Sequence, residues 1–431
     1  MKFRLKEGLL LGTATAATQI EGGDKNNNWY RFAEEGKVDD GTSPYRADDH
    51  YVRWREDIDL MAEMGLQIYR LGIEWSRIEP SRGEFDSAVL AHYREEIEYM
   101  ISKGIKPLLT LHHFTNPLWF EDMGAWAHPE SADIFMNFAE KVIYALGDIV
   151  DEYITINEPN VYNLNSFFYG TWPPEHKSLS EFVKVFSNMT AAHIRAYNMI
   201  HEKRAKMGKR REETLVSFAN HLRVFEPENP KSLWHKICSK FTSYMFQDAI
   251  TEAMMTGKCR FPVLKRKGVT RGKYYDFIGI NYYSRSTVSG IADGTRKDCF
   301  HNDLGWEIYH EGLIELSNNL SEKYGREYPV FITENGTCDN FDAFRPCFIY
   351  DQLKLVSETE NNITRYYHWS FTDNFEWREG EAARFGIVHV DYETQTRTVK
   401  GSGKLYSSMI KNKGVTDEAY AEFVENSNYH E

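Results

Sequence analysis

The chain has 431 residues, 42% of them hydrophobic and 14% aromatic, enough apolar material for a large packed core. A formal net charge of −13 excludes the cationic surface that phosphate backbones demand, so nucleic acid is not an expected partner. Five cysteines (Cys238, Cys259, Cys299, Cys338, Cys347) are odd in number and scattered, with no CxxC pair, which speaks against a disulfide framework and for a reducing compartment.

At the N-terminus, Lys2, Arg4 and Lys6 precede Leu9-Leu10-Leu11, but Glu7 and Gly8 interrupt the pattern and the apolar run is too short for an export signal. No stretch approaches the ~20 apolar residues of a membrane span. Cytoplasmic residence without membrane contact is the expectation. The first predicted strand, Leu9–Ala14, leads to Gln19 and Glu21. Helical periodicity over Asp57–Met64 is followed by a strand at Ile68–Ile73 that carries Arg70 and runs into Glu74. A third strand, Pro107–His113, finishes at His112-His113. After the helix-patterned segment Ile134–Leu146, a fourth strand, Tyr153–Asn157, delivers Asn157 beside Glu158. The long helix pattern Phe182–Ile200 ends in a basic run, Lys203–Arg211, read as a solvated helix end. Strands at Thr214–Ala219, Phe277–Tyr283, Val330–Glu334 and Thr364–Phe371 follow, the last three bringing Asn281 and Tyr283, Glu334, and Trp369; Glu376 and Trp377 lie just beyond.

Several of these runs are continuously apolar, as strands covered on both faces must be. Eight strands alternating with helices imply a closed α/β barrel of the (β/α)8, or TIM, type, and no linker or low-complexity tract divides residues 1–431, so a single catalytic domain is expected. Chemistry then belongs at the C-terminal ends of the strands. Two strings stand there: Thr155-Ile156-Asn157-Glu158-Pro159 and Ile332-Thr333-Glu334-Asn335-Gly336. Each drives an apolar strand into a glutamate and then breaks. Two carboxyls so placed suit cleavage of a glycosidic bond, one protonating the leaving oxygen while the other attacks or stabilises the sugar cation. Amides, imidazole and carboxylates to bond hydroxyls, and an aromatic plane for a C–H face, complete the inventory a sugar requires.

With these motifs the chain resembles glycoside hydrolase family 1, the β-glucosidase-like barrels, over nearly its whole length, from Gly12–Gly22 to Arg384–Val388 and Asp391-Tyr392. The resemblance implies a retaining double displacement with Glu158 as general acid/base and Glu334 as nucleophile. It also implies that Gln19, His113, Asn157, Glu376 and Trp377 hold the hydroxyls of the non-reducing sugar, and that Trp369 stacks on it. Arg70, Asn281 and Tyr283 would support the nucleophile and the 2-hydroxyl. Glu376-Trp377 stands where phospho-sugar specialists carry a phosphate cradle, so a neutral β-D-glycoside is expected, glucoside first, then galactoside or fucoside.

The family's His-Trp-Asp-Leu-Pro reads His113-Phe114-Thr115-Asn116-Pro117 here, which alters the pocket's shape. The loop Ser284–Asp303 is short for the family, suggesting an open leaving-group side with Trp172 and Trp306 as aromatic contacts. Trp54, Trp126 and Trp234 are assigned to the core, Glu21 and Glu74 to structural roles, and His112 to the outer side of its strand, since neighbours alternate. A transglycosidase on the same site, or a sugar-binding barrel without catalysis, are the alternatives. There is no His-Glu-x-x-His, Gly-Lys-Ser loop or Gly-x-Gly-x-x-Gly, so neither metal nor cofactor is expected. A small-molecule glycoside is the expected partner, and the sequence leaves the oligomeric state open.

Overall fold

The computed structural model describes residues 1–290 and 293–429. Eight parallel strands, β1 (Leu10–Ala14), β2 (Ile68–Gly72), β3 (Lys106–Thr110), β4 (Glu152–Asn157), β5 (Leu215–Pro227), β6 (Ile278–Val288), β7 (Val330–Asn335) and β8 (Ile363–Trp369), pair in a ring. The sheet closes where β5 pairs with β6, and β8 lies between β7 and β1. Every residue of β2, β4 and β7 is buried, which is why these segments read as near-continuous apolar runs.

Helices cover the outside: α1 (His50–Met64), α2 (Ser87–Ser102), α3 (Ser131–Leu146), α4 (Leu179–Lys206), α5 (Leu233–Ser243), α6 (Ala249–Thr256), α7 (Glu311–Tyr324), α8 (Arg345–Glu358) and α9 (Gly401–Asn412). Helix α3 shows why they dock. Phe135, Phe138, Ala139, Val142 and Leu146 recur at three- and four-residue steps, and all are fully buried. Side-chain caps start several helices: Asp86 accepts from the backbone N–H of Ala88 and Val89, and Ser178 from that of Glu181. Ions close the N-terminal end of the barrel, where buried Glu152 meets Lys106 at 2.6 Å and Arg365 at 3.3 Å.

Three sequence expectations are corrected. Strands β5 and β6 run past their predicted ends because their ladder continues from Ala219–Gly279 to Pro227–Val288, above the barrel rim. The basic run that begins in the last turn of α4 is not wholly solvated. Arg204 is fully buried and donates to Asp151 (2.7 Å), the Gly147 carbonyl (2.8 Å) and Thr214 (2.8 Å), fastening α4 to the start of β4 and β5. Trp54 and Trp126 are core residues, but Trp234 is 60% exposed on α5. Among the described residues no helix is long and apolar enough to cross a membrane.

Candidate active site

The strand ends gather the chemistry. Arg70 lies on β2, and His113 three residues beyond β3. Asn157 closes β4 and Glu158 follows it. Asn281 and Tyr283 share one face of β6, since side chains alternate along a strand. Glu334 sits near the end of β7 and Trp369 at the end of β8. Glu158 is held by its backbone N–H to the Ala219 carbonyl of β5 at 2.8 Å, and it heads the short helix Pro159–Asn163 with φ of 42°. Phe114 and Trp377 also adopt positive φ, 68° and 50°. Three non-glycine residues in this left-handed region around one cavity mark backbone strain that only the surrounding fold maintains. The glycine that breaks the second string is required by crowding: a Cβ on Gly336 would lie 1.9 Å from the Trp369 carbonyl oxygen.

The cavity encloses about 190 Å³, and its walls include His113, Glu158, Tyr283, Glu334, Trp369, Glu376 and Trp377. Arg70, Asn157, Asn281 and Gln19 are not in its walls. They form a fully buried layer behind them. Arg70 organises that layer. It donates to Glu334 Oε1 (2.5 Å), Asn157 Oδ1 (2.7 Å), Thr110 (3.0 Å) and the Thr333 carbonyl (3.2 Å). Asn281 Nδ2 donates to Asn157 Oδ1 (3.0 Å) and Glu158 Oε1 (2.8 Å), while its own Oδ1 accepts from Thr333 (2.6 Å). One continuous chain of hydrogen bonds therefore links the two glutamates.

Their settings differ. Glu334 receives the Arg70 guanidinium on Oε1 and the Tyr283 phenol on Oε2 at 2.7 Å. Burial nevertheless pushes its carboxyl up to about 7; Arg70 and Tyr283 pull against that, and the nearby Glu158 charge adds to it. Arg70 and Tyr283 thus favour the charged form of Glu334 over what burial alone would give. Glu158 is met by the neutral Asn281 amide and by His221 Nδ1 at 3.4 Å. Both contacts fall on Oε1, and no described residue hydrogen-bonds Oε2.

His221 is absent from the sequence reading. Arg223 Nε donates to its Nε2 at 3.1 Å, so Nε2 is the acceptor and Nδ1 carries the hydrogen that faces Glu158. Burial lowers its pKa, which keeps the ring neutral. Its ring stacks on Tyr283, centroids 5.6 Å apart.

Opposite the acids lies the polar and aromatic end. Gln19 Nε2 donates to Glu376 Oε2 (3.1 Å), Asn374 Oδ1 (3.1 Å) and the Phe375 carbonyl (2.9 Å), and its side-chain oxygen Oε1 is buried without a partner among the described residues. Burial, Glu379 and Glu334 hold the Glu376 carboxyl well above its ordinary range, against hydrogen bonds from Gln19 and Trp369. The His113 ring faces both Trp369 and Trp377 at 5.8 Å, and its Nε2 meets the Asn157 amide at 3.0 Å. Its Nδ1 is, among the described residues, a second buried atom without a partner at this end of the site. Phe114 packs against Trp377 (5.1 Å) and Trp172 (5.1 Å). Trp172 and Trp306 both border the cavity, Trp306 lying against Tyr283 at 5.8 Å. Of the short loop Ser284–Asp303, Ile291 and Ala292 lie outside the described residues.

Several candidates stand elsewhere. Glu21 pairs with Arg77 (2.7 Å) and accepts from Tyr93 (2.7 Å), and Glu74 accepts from Thr18 and from Ser76. His112 turns outward to Trp126 and Asn116, each at 3.1 Å.

The sequence model of Glycosyl hydrolase family 1 matches residues 1–415. Beta-glucosidase A of Thermotoga maritima is 32% identical over 452 aligned residues, which cover 96% of this chain and 99% of that protein. The solved beta-glycosidase from Pyrococcus horikoshii superposes with a TM-score of 0.88 at 32% identity over 98% of each chain. The beta-glucosidase from Thermotoga maritima in complex with castanospermine gives a TM-score of 0.86 at 30% identity, over 96% of this chain and 100% of that one. The likeness spans both the whole barrel and the segments that build its rim, and the chain belongs to glycosyl hydrolase family 1, the hydrolases of O-glycosyl bonds.

Proposed function

We propose that the protein is a retaining β-glycosidase that releases terminal β-D-glucosyl residues, with Glu334 as nucleophile and Glu158 as general acid and then base. The observation that carries this reading is the unequal treatment of two carboxyls on one cavity: a guanidinium and a phenol on Glu334, only neutral donors on Glu158. Glu158 Oε2 gives its proton to the glycosidic oxygen as Glu334 attacks the anomeric carbon, forming a glycosyl ester and freeing the alcohol. Glu158, left as a carboxylate by that transfer, then takes a proton from water as that water displaces the ester. Such a pair works at a separation of about 5–5.5 Å. Asn281 and Asn157 hold both acids in register, and His221 keeps Glu158 oriented.

Gln19, His113, Asn157, Glu376 and Trp377 take the hydroxyls of the sugar, with Trp369 as its platform. The unpartnered atoms of Gln19 and His113 support this. Residues 1–431 form one catalytic domain in this reading, supported by pairing of Phe3–Arg4 with Gly414–Val415. Five unpaired cysteines support a reducing, cytoplasmic setting.

Two measurements test the assignment. The first is the pH profile. Activity needs Glu334 ionised, so kcat/KM falls as pH drops through the raised value. Tyr283→Phe removes a donor that favours the charged form, so the acid limb moves to higher pH by about one unit, the scale of a hydrogen bond to a charged group. An unmoved limb would show that Tyr283 does not hold that charge. The second concerns phosphate. Glu376, Glu379 and Glu334 line the sugar end with carboxyls, and among the described residues the one Lys or Arg in the cavity walls, Arg223, sits beside His221 near Glu158. A 6-phospho-β-glucoside should be hydrolysed at least ~10³-fold less efficiently than the neutral glucoside, since taking a dianion out of water without a cation to pair it costs several kcal/mol. Galactosides and fucosides should follow glucosides. Preference for the phosphorylated sugar would refute this role for Glu376.

A further inference from the structure

Arg223 takes no part in the steps above, yet the fold fixes it from several sides. Its backbone N–H donates to Gln247 Oε1 (2.8 Å) and its carbonyl accepts from Gln247 Nε2 (3.1 Å), so one buried amide pins this stretch of β5. His221 and Arg223 stand two residues apart on that strand and therefore share a face. The Arg223 guanidinium donates through Nε to His221 Nε2 (3.1 Å) and through Nη1 to Ser286 (3.5 Å), and the Asp293 carboxylate lies 3.9 Å from Nη1. A series of contacts thus runs from Asp293 through Arg223 and His221 to Glu158.

A neutral imidazole carries one hydrogen, on either nitrogen. A guanidinium keeps its protons at every working pH, so Arg223 always presents a donor to Nε2. That lone pair is also the one a second proton would take. The ring is therefore left with its hydrogen on Nδ1, 3.4 Å from Glu158 Oε1. Burial opposes a charged ring most; Glu158 favours one, and Arg223 opposes it. Of the other groups nearby, Tyr283 stacks on the ring while its phenol is spent on Glu334, Phe246 packs edge-on at 5.9 Å, and Asp293 and Tyr169 act on Arg223 from its far side. An imidazolium here would favour the Glu158 carboxylate and hold the proton that the leaving oxygen needs. A neutral Nδ1–H steadies Glu158 without taking it.

We infer that Arg223 is a positioning residue that locks His221 as the neutral Nδ1–H tautomer, so that the proton used in catalysis resides on Glu158 and not on the imidazole. The inference rests on the reading given above, in which Glu158 is the general acid. It gives Arg223 an effect opposite in sign to that of its charge alone. Loss of a nearby cation would by itself make Glu158 harder to ionise, whereas loss of the lock lets a cation form on His221 and makes Glu158 easier to ionise.

The test is the pH dependence of kcat/KM for methyl β-D-glucoside, whose leaving group needs a proton, and for 2,4-dinitrophenyl β-D-glucoside, whose leaving group does not. It compares wild type with Arg223→Gln, His221→Asn and the double variant. With methyl glucoside, activity falls on the alkaline side as Glu158 loses its proton. In Arg223→Gln that limb should move to lower pH by about one unit, the small end of the effect of an opposite charge. The dinitrophenyl profile should show no such displacement. His221→Asn keeps a neutral donor, so its limb should stay near wild type, and the double variant, with no imidazole to charge, should return to that position. A limb that stays, moves to higher pH, or remains displaced in the double variant overturns the inference. A second readout needs no variant: 15N shifts of the His221 ring should show a protonated Nδ1 and a bare Nε2 between about pH 5 and 8, where an ordinary histidine titrates. Uptake of a second proton in that range overturns the inference. Glu158→Gln separates the two failures: if it abolishes the methyl glucoside limb while Arg223→Gln leaves the limb in place, only the lock falls; if the limb survives Glu158→Gln, Glu158 is not the acid and both fall.

Discussion

Replacing Glu334 with alanine should abolish turnover of every β-glycoside, by a factor on the order of 10⁵ or more, the scale lost when a covalent nucleophile is removed. Leaving-group quality should not rescue it, because the missing step is formation of the glycosyl ester itself. The fold should survive, since Arg70 keeps its bonds to Asn157, Thr110 and the Thr333 carbonyl. Trapping offers a direct readout: a 2-fluoro-glycoside with a good leaving group should label wild type by one sugar mass on the peptide containing Glu334, and should leave Glu334→Ala unlabelled. Labelling elsewhere would displace Glu334 from its role.

Glu158→Ala should behave differently, and the contrast identifies the acid. Glycosides with poor leaving groups should slow by about 10²–10⁴, the ordinary contribution of general acid catalysis. Substrates such as 2,4-dinitrophenyl glucoside, whose leaving group needs no proton, should still form the glycosyl-enzyme in a burst and then stall, because no base remains to activate water. Azide needs no deprotonation and should enter the space left by the carboxylate. Turnover should recover, with a β-glycosyl azide as product. An α-azide would mean inversion and would sink the double displacement, and an unresponsive variant would remove Glu158 from the deglycosylation step.

Much of this architecture could be read from the chain. The strands betray themselves because both faces are buried, so Tyr153–Ile156 of β4 and Val330–Thr333 of β7 are apolar and β-branched just before Asn157-Glu158 and Glu334. What the sequence obscured has one physical origin: residue type reports character but not what covers it. Trp234, Ile237 and Phe241 recur along one face of α5 much as buried positions recur in α3, and periodicity alone assigns them to a core. The structure leaves that stripe facing an open hollow. His221 was hidden for a different reason. It lies past Ala219, where the predicted strand stops, and only the continuing ladder with β6 carries it to Glu158. Arg204 escaped notice because its neighbours in sequence are solvated, and its burial depends on Asp151 and Thr214 coming together in space.

The overshoot of β5 and β6 beyond the rim divides labour along each strand. Their lower stretches position Asn281 and Tyr283 beside the acids, and their upper stretches bear Phe225 on the wall of a neighbouring hollow. Substitutions confined to the upper tier therefore leave the carboxyl pair in place, so the shape above the rim can vary separately from the arrangement below it.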